Sequence, residues 1–300
     1  MTARAARADP GWSSGLVVPA TVTGHSVRGQ LLAAVEGTPF ELFWLESLEG
    51  VLEIGARGLP VLVGPRAGPP RGSAVRSSGD DRRREIGVVF ELLRKGATVQ
   101  LVTTTTPGAT PFLKTLMRSA GDLDMLFLPR QADALRARLA AAAVRRYGLE
   151  LERWLLDRVV EHPLALRLAC HHLLRSGLAG PDDDPGELSR VSVTDVAEAV
   201  GVSRGHLFEL QREHGVKLTE VARTWSAALA VLARRLEGAG WEGIAWRCGY
   251  DSMSGLSNLF QRVFGERLRS VERRPDRWVD ERVRGRMVEA IGVGHEPDSE

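Results

Sequence analysis

The sequence predicts an α/β domain with a doubly wound parallel sheet, followed by an all-α domain. Three observations predict this order. Five short apolar runs alternate with five amphipathic stretches before residue 148. A segment rich in Gly, Pro and Asp, residues 180–186, then interrupts the pattern. From residue 191 onward the apolar residues have helical spacing. A length of 300 residues accommodates two domains.

The five apolar runs have the length of buried strands, and the stretches between them have helical periodicity. Strands that alternate with helices form a parallel sheet with helices on both faces. We assign residues 1–13 to a flexible tail and 14–148 to this domain. The predicted strands are 16–22, 40–45, 59–63, 98–103 and 124–128, and the predicted helices are 26–36, 48–57, 84–95, 111–120 and 131–147.

This order of elements resembles the receiver domain of two-component response regulators, which has a flavodoxin-like plan. A working receiver needs carboxylates after its first and third strands to hold Mg²⁺ and to accept a phosphoryl group. Neither 19–22 nor 63–66 contains an acid, and Arg130 stands after the fifth strand where the resemblance implies a lysine. We therefore expect a degenerate receiver-like domain that is not phosphorylated.

Residues 149–188 are predicted to be a helical connector that ends in an acidic linker. Leu151, Leu155 and Val159 have helical spacing, and Pro163 marks a kink or a boundary. Three adjacent aspartates between prolines, in 181–185, favour a surface loop. Residues 189–275 then form the second domain, and 276–300 are assigned to a C-terminal tail.

A short pattern occurs twice in the second domain. Ala197 and Gly201 recur 48 residues later as Ala245 and Gly249. In each copy the glycine can end one helix in a left-handed turn, a serine can cap the next helix, and leucines can face inward. Two copies of this pattern indicate tandem helix-turn-helix units. The serines and leucines are Ser203, Leu207 and Leu210 in the first copy and Ser252, Leu256 and Leu259 in the second.

A single long helix is predicted between the two copies. Residues 218–236 contain no Gly or Pro, and their apolar residues follow a helical stripe that includes Trp225. About 19 residues at 1.5 Å each span roughly 28 Å. Such a spacer can hold two recognition helices about one DNA turn, roughly 34 Å, apart.

Residues of about 189–272 resemble the DNA-binding domain of the AraC family of bacterial transcription regulators. The chain departs from the family pattern at Gln211, Ala227 and Leu268, where the family has an apolar residue, an arginine and a proline. The resemblance implies a tandem helix-turn-helix fold that binds double-stranded DNA. The residues that carry it are 193–197, 201–203 and Leu207 in the first half, and Ile244, Ala245, Gly249, Tyr250, Ser252, Leu256, Phe260 and Gly265 in the second.

The outward residues of the second helix in each unit are the candidate DNA contacts. Hydroxyl and amide groups can bond base edges or phosphates, and arginines can contact phosphates. Glu209 can accept a hydrogen bond from cytosine but repels phosphate. The candidates are Ser203, Arg204, Phe208, Glu209 and Arg212 in the first unit and Met253, Ser254, Ser257, Asn258, Gln261 and Arg262 in the second. Further candidate phosphate contacts are Arg247, Arg267 and Arg269.

These observations predict a cytoplasmic transcription regulator rather than an enzyme. The Gly-rich stretch 64–70 fits neither a dinucleotide-binding motif nor a P-loop, and Cys170 and Cys248 have no metal or redox spacing. We expect double-stranded DNA as the partner and no cofactor, metal or membrane. RNA polymerase, another protein and a second copy of the chain stay open as further partners. Two alternatives also stay open: an adaptor that has lost DNA binding, and an α/β ligand-binding or enzymatic domain fused to a DNA reader.

Overall fold

The computed structural model describes residues 16–22, 25–53, 60–64, 79–95, 97–103, 125–176 and 193–292. The chain divides into two compact units, with the division between Ala143 and Val144. The first unit contains a five-stranded parallel sheet, and the second is helical. The predicted α/β class followed by a mostly helical region is therefore confirmed. No helix among the described residues is long and apolar enough to cross a membrane.

The sheet of the first unit has the strand order β2-β1-β3-β4-β5, and every neighbouring pair is parallel. All five predicted strands agree with the observed ones to within one residue at each end. The fifth is shorter than predicted, because Leu128 already begins a helix. The strands are β1 (Leu16–Thr21), β2 (Phe40–Trp44), β3 (Pro60–Val63), β4 (Thr98–Thr103) and β5 (Met125–Phe127).

Both faces of the sheet are covered at β3. Val61, Leu62 and Val63 are all buried, and consecutive side chains of a strand point to opposite faces. On one face Val61 and Val63 pack against α2 (Leu48–Glu53) and α3 (Gly79–Arg94). The apolar run that predicted this strand is thus buried on both sides, as in other parallel sheets.

Two more helices belong wholly or partly to this unit. They are α1 (His25–Val35) and α4 (Leu128–Leu156), and Arg136 Nε of α4 donates a hydrogen bond to Ala34 O of α1 at 2.6 Å. Helix α4 continues through residue 148, the predicted end of the domain, and has a non-helical residue at Gln131. The predicted helix 111–120 lies outside the described residues.

The second unit consists of the end of α4 and eight further helices among the described residues. Helix α4 ends at Leu156 and the next helix begins at Leu164, so the boundary predicted at Pro163 is confirmed. Residues 276–291, predicted as the start of a tail, form the last helix. The eight helices are α5 (Leu164–Ser176), α6 (Val193–Val200), α7 (Arg204–Glu213), α8 (Leu218–Glu237), α9 (Trp241–Arg247), α10 (Met253–Phe264), α11 (Leu268–Glu272) and α12 (Asp276–Ile291).

Helix α8 is the core of this unit, and it confirms the long helix predicted for 218–236. It contacts α5, α9, α10, α11 and α12. Besides the predicted stripe, it buries Ala227, Ala228 and Ala230, so most of its circumference is covered. Small alanines allow neighbouring helices to approach closely on these added faces. The departure at Ala227 therefore places a small residue inside the core.

Candidate nucleic-acid interface

The α6–α7 and α9–α10 helix pairs are joined by turns of the same design. Gly201 has φ 75° and Gly249 has φ 70°, the left-handed conformation that favours glycine. In each pair the repeated alanine accepts a hydrogen bond across the turn: Ala197 O from Val202 N at 3.0 Å, and Ala245 O from Tyr250 N at 2.9 Å. These bonds close the end of the first helix in both pairs. The predicted glycine turns are confirmed.

The two serines that follow these turns differ in their bonds. Ser203 Oγ accepts a hydrogen bond from His206 N at 3.1 Å and caps α7 as predicted. Ser252 occupies the equivalent position before α10, but its hydroxyl bonds Ser254 Oγ at 2.7 Å instead of a backbone N–H. The prediction of a side-chain cap is therefore wrong for Ser252. The first backbone N–H groups of α10 therefore donate no hydrogen bond to that side chain.

Helix α10 is oriented by an apolar inner face and leaves a polar outer face exposed. Leu256, Leu259, Phe260 and Val263 are buried, as predicted from their spacing. Phe260 also meets the ring of Trp241 edge to face, with centroids 5.5 Å apart. The outward residues are exposed or, for Ser257, half-buried. They are Met253, Ser254, Ser257, Asn258, Gln261 and Arg262.

The outward polar groups of α10 are not equally available. Gln261 Nε2 donates to Gly265 O at 2.9 Å, which leaves its side-chain oxygen as the open group. Ser254 Oγ is engaged with Ser252. Asn258 is exposed and makes no side-chain hydrogen bond within the described part of the chain. Its amide can therefore donate and accept at the same time, as bidentate contact with adenine requires.

Helix α7 presents a different outer face. Leu207 is buried and Leu210 is half-buried, and the exposed side carries Phe208 together with charged residues of both signs. Ser203 is exposed but its oxygen is used by the cap. No hydrogen bond or ion pair joins the outward residues of α7 to those of α10 in the described chain. The charged residues of α7 are Arg204, Glu209 and Arg212.

The arginines of the second unit fall into two groups. In the first group, Arg247 bonds both carboxylate oxygens of Glu237, and Arg274 bonds Glu266. Arg247, a predicted phosphate contact, is therefore already paired, because Glu237 lies close to it across the turn before α9. A second group is exposed and forms no side-chain ion pair among the described residues. Its members on α7, on α10 and between α10 and α12 are Arg204, Arg212, Arg262, Arg267, Arg269 and Arg273.

Two polar contacts that the sequence did not predict fix the helices around α8. Gln211 Oε1 accepts a hydrogen bond from Leu218 N at 3.1 Å, and so provides a partner for a backbone N–H in the first turn of α8. Lys217, at the N-cap of α8, makes no such bond itself. Arg235 forms a buried ion pair with Asp276 and donates to Val271 O at 3.0 Å. A polar residue at an apolar position was the available signal for Gln211, whereas no pattern indicated the partner of Arg235.

Trp246 is an exposed aromatic residue that the sequence reasoning missed. Its neighbours Ile244, Ala245 and Cys248 are buried, while Trp246 is 64% exposed. A helical projection of 241–247 with Ile244 and Ala245 inward places Trp246 on the outer face, and that was the available signal. An exposed tryptophan beside the turn offers apolar and stacking contact to a partner molecule.

In the first unit, the described carboxyl ends of β1 and β3 carry no carboxylate side chains. Val22 and Gly64 meet there, and a Cβ on Gly64 would lie 2.7 Å from Val22 Cγ2. An apolar side chain thus fills the space between the two strand ends. Thr21 Oγ1 is buried and has no hydrogen-bond partner among the described residues. No carboxylate occurs in 19–22 or at residues 63 and 64.

The described residues contain no group of His, Cys, Asp and Glu that could hold a metal ion. Burial raises the pKa of both Cys170 and Cys248 to about 12, so neither thiol is a nucleophile near neutral pH. Comparisons with family profiles, with curated proteins and with solved structures found no match. A function must therefore be argued from the two helix pairs themselves.

Proposed function

We propose that this chain is a sequence-specific DNA-binding transcription regulator of the AraC type. The α6–α7 and α9–α10 helix pairs act as two helix-turn-helix units, with α7 and α10 as recognition helices. The observation that carries the proposal is the repeated turn. An alanine carbonyl, a left-handed glycine and a following serine occur at matching places in both pairs. Each turn is followed by a helix with leucines on its inner face, of which Leu210 is half-buried, and an exposed outer face.

The outer face of α10 suits base reading. Asn258 is an open amide that can pair with N6 and N7 of adenine, and Met253 can contact a thymine methyl group. Arg262, Arg267 and Arg269 lie at or after the end of this helix, exposed and without an ion pair among the described residues. Arginines of this kind neutralise phosphates and release counterions. Helix α10 is therefore the main sequence reader.

The outer face of α7 is a weaker reader. Arg204 and Arg212 can contact phosphates, but Glu209 lies between them and repels the backbone. The Glu209 carboxylate can still accept from N4 of cytosine. Ser203 already accepts a backbone hydrogen bond. We expect α7 to add phosphate contacts and little sequence preference.

The length of α8 supports a single chain that reaches two major grooves. Its 20 residues span about 30 Å at 1.5 Å per residue. Successive major grooves on one side of DNA are roughly 34 Å apart. The ion pair of Arg235 with Asp276 and the bond of Gln211 to Leu218 stiffen the surroundings of α8. A stiff spacer holds the two recognition helices in a fixed relative orientation, and so lowers the conformational entropy that is lost on binding.

The first unit serves, in this proposal, as a non-phosphorylated receiver-like sensory or interaction domain in a cytoplasmic regulator. Its strand order β2-β1-β3-β4-β5 is that of flavodoxin-like sheets. Val22 lies close to Gly64 at the carboxyl ends of β1 and β3, and no acid occurs in 19–22 or at residues 63 and 64, so these positions lack the carboxylates that a working receiver would use to hold Mg²⁺. In this proposal the first unit acts on DNA-bound RNA polymerase through protein contacts and not through phosphoryl transfer.

Fluorescence anisotropy of the full-length protein on labelled duplexes tests this proposal. Affinity should fall steeply with salt, because counterions return to the phosphates. Asn258→Ala should reduce the preference for the specific duplex by roughly 1–3 kcal/mol, whereas Arg262→Ala should weaken all duplexes about equally. Arg94→Ala, an exposed arginine of α3 in the first unit, is the control and should change neither quantity.

The adaptor alternative predicts a different result from the same titrations. Its support is the number of arginines of the second unit that are already paired, together with Glu209 on α7. An adaptor would show no specific duplex and no salt-dependent binding, and Asn258→Ala would have no effect. That set of results would contradict DNA reading and favour the adaptor.

A further inference from the structure

A cavity of about 290 Å³ lies within the second unit, where the start of α8 meets the ends of α10 and α12. One water molecule occupies roughly 30 Å³ in the liquid, so the cavity has room for a small organic molecule. All of its lining residues belong to the second unit. The polar ones are Lys217, Glu220, Thr224, Arg262, Arg286 and Glu289.

Hydrogen bonds between the three helices fix the walls of this cavity. Lys217 N donates to Ala290 O at 2.6 Å, which joins the start of α8 to the end of α12. Arg286 Nε donates to Val263 O at 3.1 Å, and Nη2 of the same guanidinium donates to Arg262 O, so α12 is also joined to α10. The site is therefore formed before a ligand arrives, and a preformed site loses less entropy on binding.

The charged residues of the cavity leave two cations without a partner. Lys217 and Arg262 are exposed and form no side-chain ion pair among the described residues. The two acids, in contrast, are each paired with an arginine and are neutralised by it. Two unpaired positive charges in one recess favour an anion that carries two negative charges. The neutralised pairs are Arg223–Glu220 and Arg286–Glu289, with N–O distances of 2.5 and 2.6 Å.

Thr224 adds a hydroxyl group that has no partner in the described structure. It lines the cavity and is only 2% exposed, and its side chain makes no hydrogen bond among the described residues. Ser226, two residues further along α8, instead donates to Ala222 O at 3.0 Å. Buried hydroxyls are nearly always hydrogen-bonded, because an unpaired one has lost its bonds to water. The Thr224 hydroxyl is thus available to a molecule in the cavity.

We propose that this cavity binds the phosphate group of a small phosphomonoester, such as a sugar phosphate. A phosphomonoester carries nearly two negative charges near neutral pH, which Lys217 and Arg262 neutralise, while Thr224 donates to one of its oxygens. The rest of the cavity holds the organic part, whose hydroxyls can donate to the carboxylates of Glu220 and Glu289.

The number of charges selects the monoester over other anions. A carboxylate carries one charge and offers two oxygens, so it would leave one of the two cations without a partner. A phosphodiester, such as the DNA backbone, also carries one charge for each phosphate. Thr224 is buried, so a ligand must enter the recess to reach its hydroxyl. A small molecule with a terminal phosphate meets both conditions.

Isothermal titration calorimetry of the full-length protein without DNA tests the proposal, so that a failure of DNA reading does not affect the result. The probes are glucose 6-phosphate and glycerol 3-phosphate, with glucose and glycerol as their neutral counterparts. Glycerate supplies a carboxylate on a three-carbon framework. The phosphomonoesters should bind with a Kd of about 0.01–1 mM, and glycerate should bind at least about tenfold more weakly than glycerol 3-phosphate. Glucose and glycerol should give no heat of binding.

Two variants locate the binding site within the chain. Lys217→Gln should raise the Kd for glucose 6-phosphate about tenfold or more, because it removes a charged donor. Thr224→Val should raise this Kd severalfold without loss of stability, because the hydroxyl that it removes has no partner in the described protein. Arg273→Gln, at an exposed arginine of the second unit outside the cavity, is the matched control and should leave the Kd unchanged.

Four results would each overturn the proposal. They are the absence of binding by both phosphomonoesters at millimolar concentrations, equal affinity for glycerate and glycerol 3-phosphate, wild-type affinity in both cavity variants, and an equal loss of affinity in the control. Circular dichroism confirms that every variant is folded, so that a lost affinity is not the result of unfolding.

Discussion

Replacing Trp225 with alanine should destabilise the second unit, because this side chain joins three helices. Trp225 lies on α8 and is 3% exposed. Its ring stacks on Tyr147 of α4 with centroids 6.3 Å apart. The Tyr147 hydroxyl donates to Asp280 Oδ1 of α12 at 2.9 Å. Burial, and after it the Asp280 carboxylate, raise the pKa of Tyr147 well above its usual value, so the hydroxyl keeps its proton.

The size of the effect combines two opposing contributions. Truncating a buried tryptophan to alanine usually costs about 3–5 kcal/mol. Trp225 Nε1, however, is buried without a hydrogen-bond partner in the described structure, and such a group costs about 1–3 kcal/mol. The variant loses packing but also loses this unsatisfied donor. We therefore expect Trp225→Ala to cost about 2 kcal/mol, and Trp225→Phe, which keeps a ring on Tyr147, to cost about 1 kcal/mol or less.

Urea unfolding followed by circular dichroism measures these differences in the full-length protein. Trp246→Ala removes an exposed tryptophan of the same unit and is the matched control, which should change the free energy of unfolding by less than about 0.5 kcal/mol. An unchanged midpoint for Trp225→Ala would refute its place in the core. Equal losses for the alanine and phenylalanine variants would refute the claim that the ring packed on Tyr147 stabilises the unit. A loss well above about 1 kcal/mol for Trp225→Phe would refute the claim that the indole N–H lacks a partner.

Three further predictions concern the turns, the ion pairs and the first unit. Gly249→Ala should cost about 1–2 kcal/mol in thermal unfolding, since φ is 70° there; no loss would contradict a left-handed turn. At Glu272, burial raises the pKa, but hydrogen bonds from Arg234 and Trp241 outweigh it and the pKa is lowered. Glu272→Gln should therefore lower the free energy of unfolding above about pH 4.3, and this loss should vanish as the pH falls through the lowered pKa. A difference in stability between the variant and the wild type that persists in acid would contradict this pairing. Acetyl phosphate with Mg²⁺ should label no aspartate in 1–148, and stable labelling would contradict the degenerate receiver.

The strands and the turns were predictable because they depend on local sequence. The run 59–63 is apolar throughout, which is typical of a strand buried on both faces of a parallel sheet, and β3 occupies its last four residues. Gly201 and Gly249 were predictable because few other residues adopt a positive φ. The inner faces of α7 and α10 follow from the spacing of their leucines.

Contacts between distant residues were not predictable from pattern. Arg247 meets Glu237 only because the turn before α9 brings them together. The hydroxyl of Ser252 bonds the hydroxyl of Ser254 instead of accepting from a backbone N–H, a choice between two nearby partners that spacing does not decide. Helix α12 was missed because charged residues dominate its sequence. Its signal was Val279, Val283 and Met287 at intervals of four, all buried in the structure.

Selection from a random duplex library by the full-length protein tests the proposal that α10 reads DNA sequence. The wild type should enrich a site of about 20 base pairs, with its strongest positions in one half and weaker positions about one turn away. Asn258→Ala should lose the preference at specific positions in the strong half while still binding DNA. If the wild type enriches no sequence, or if Asn258→Ala enriches the same site with equal strength, α10 is not the reader and the claim fails.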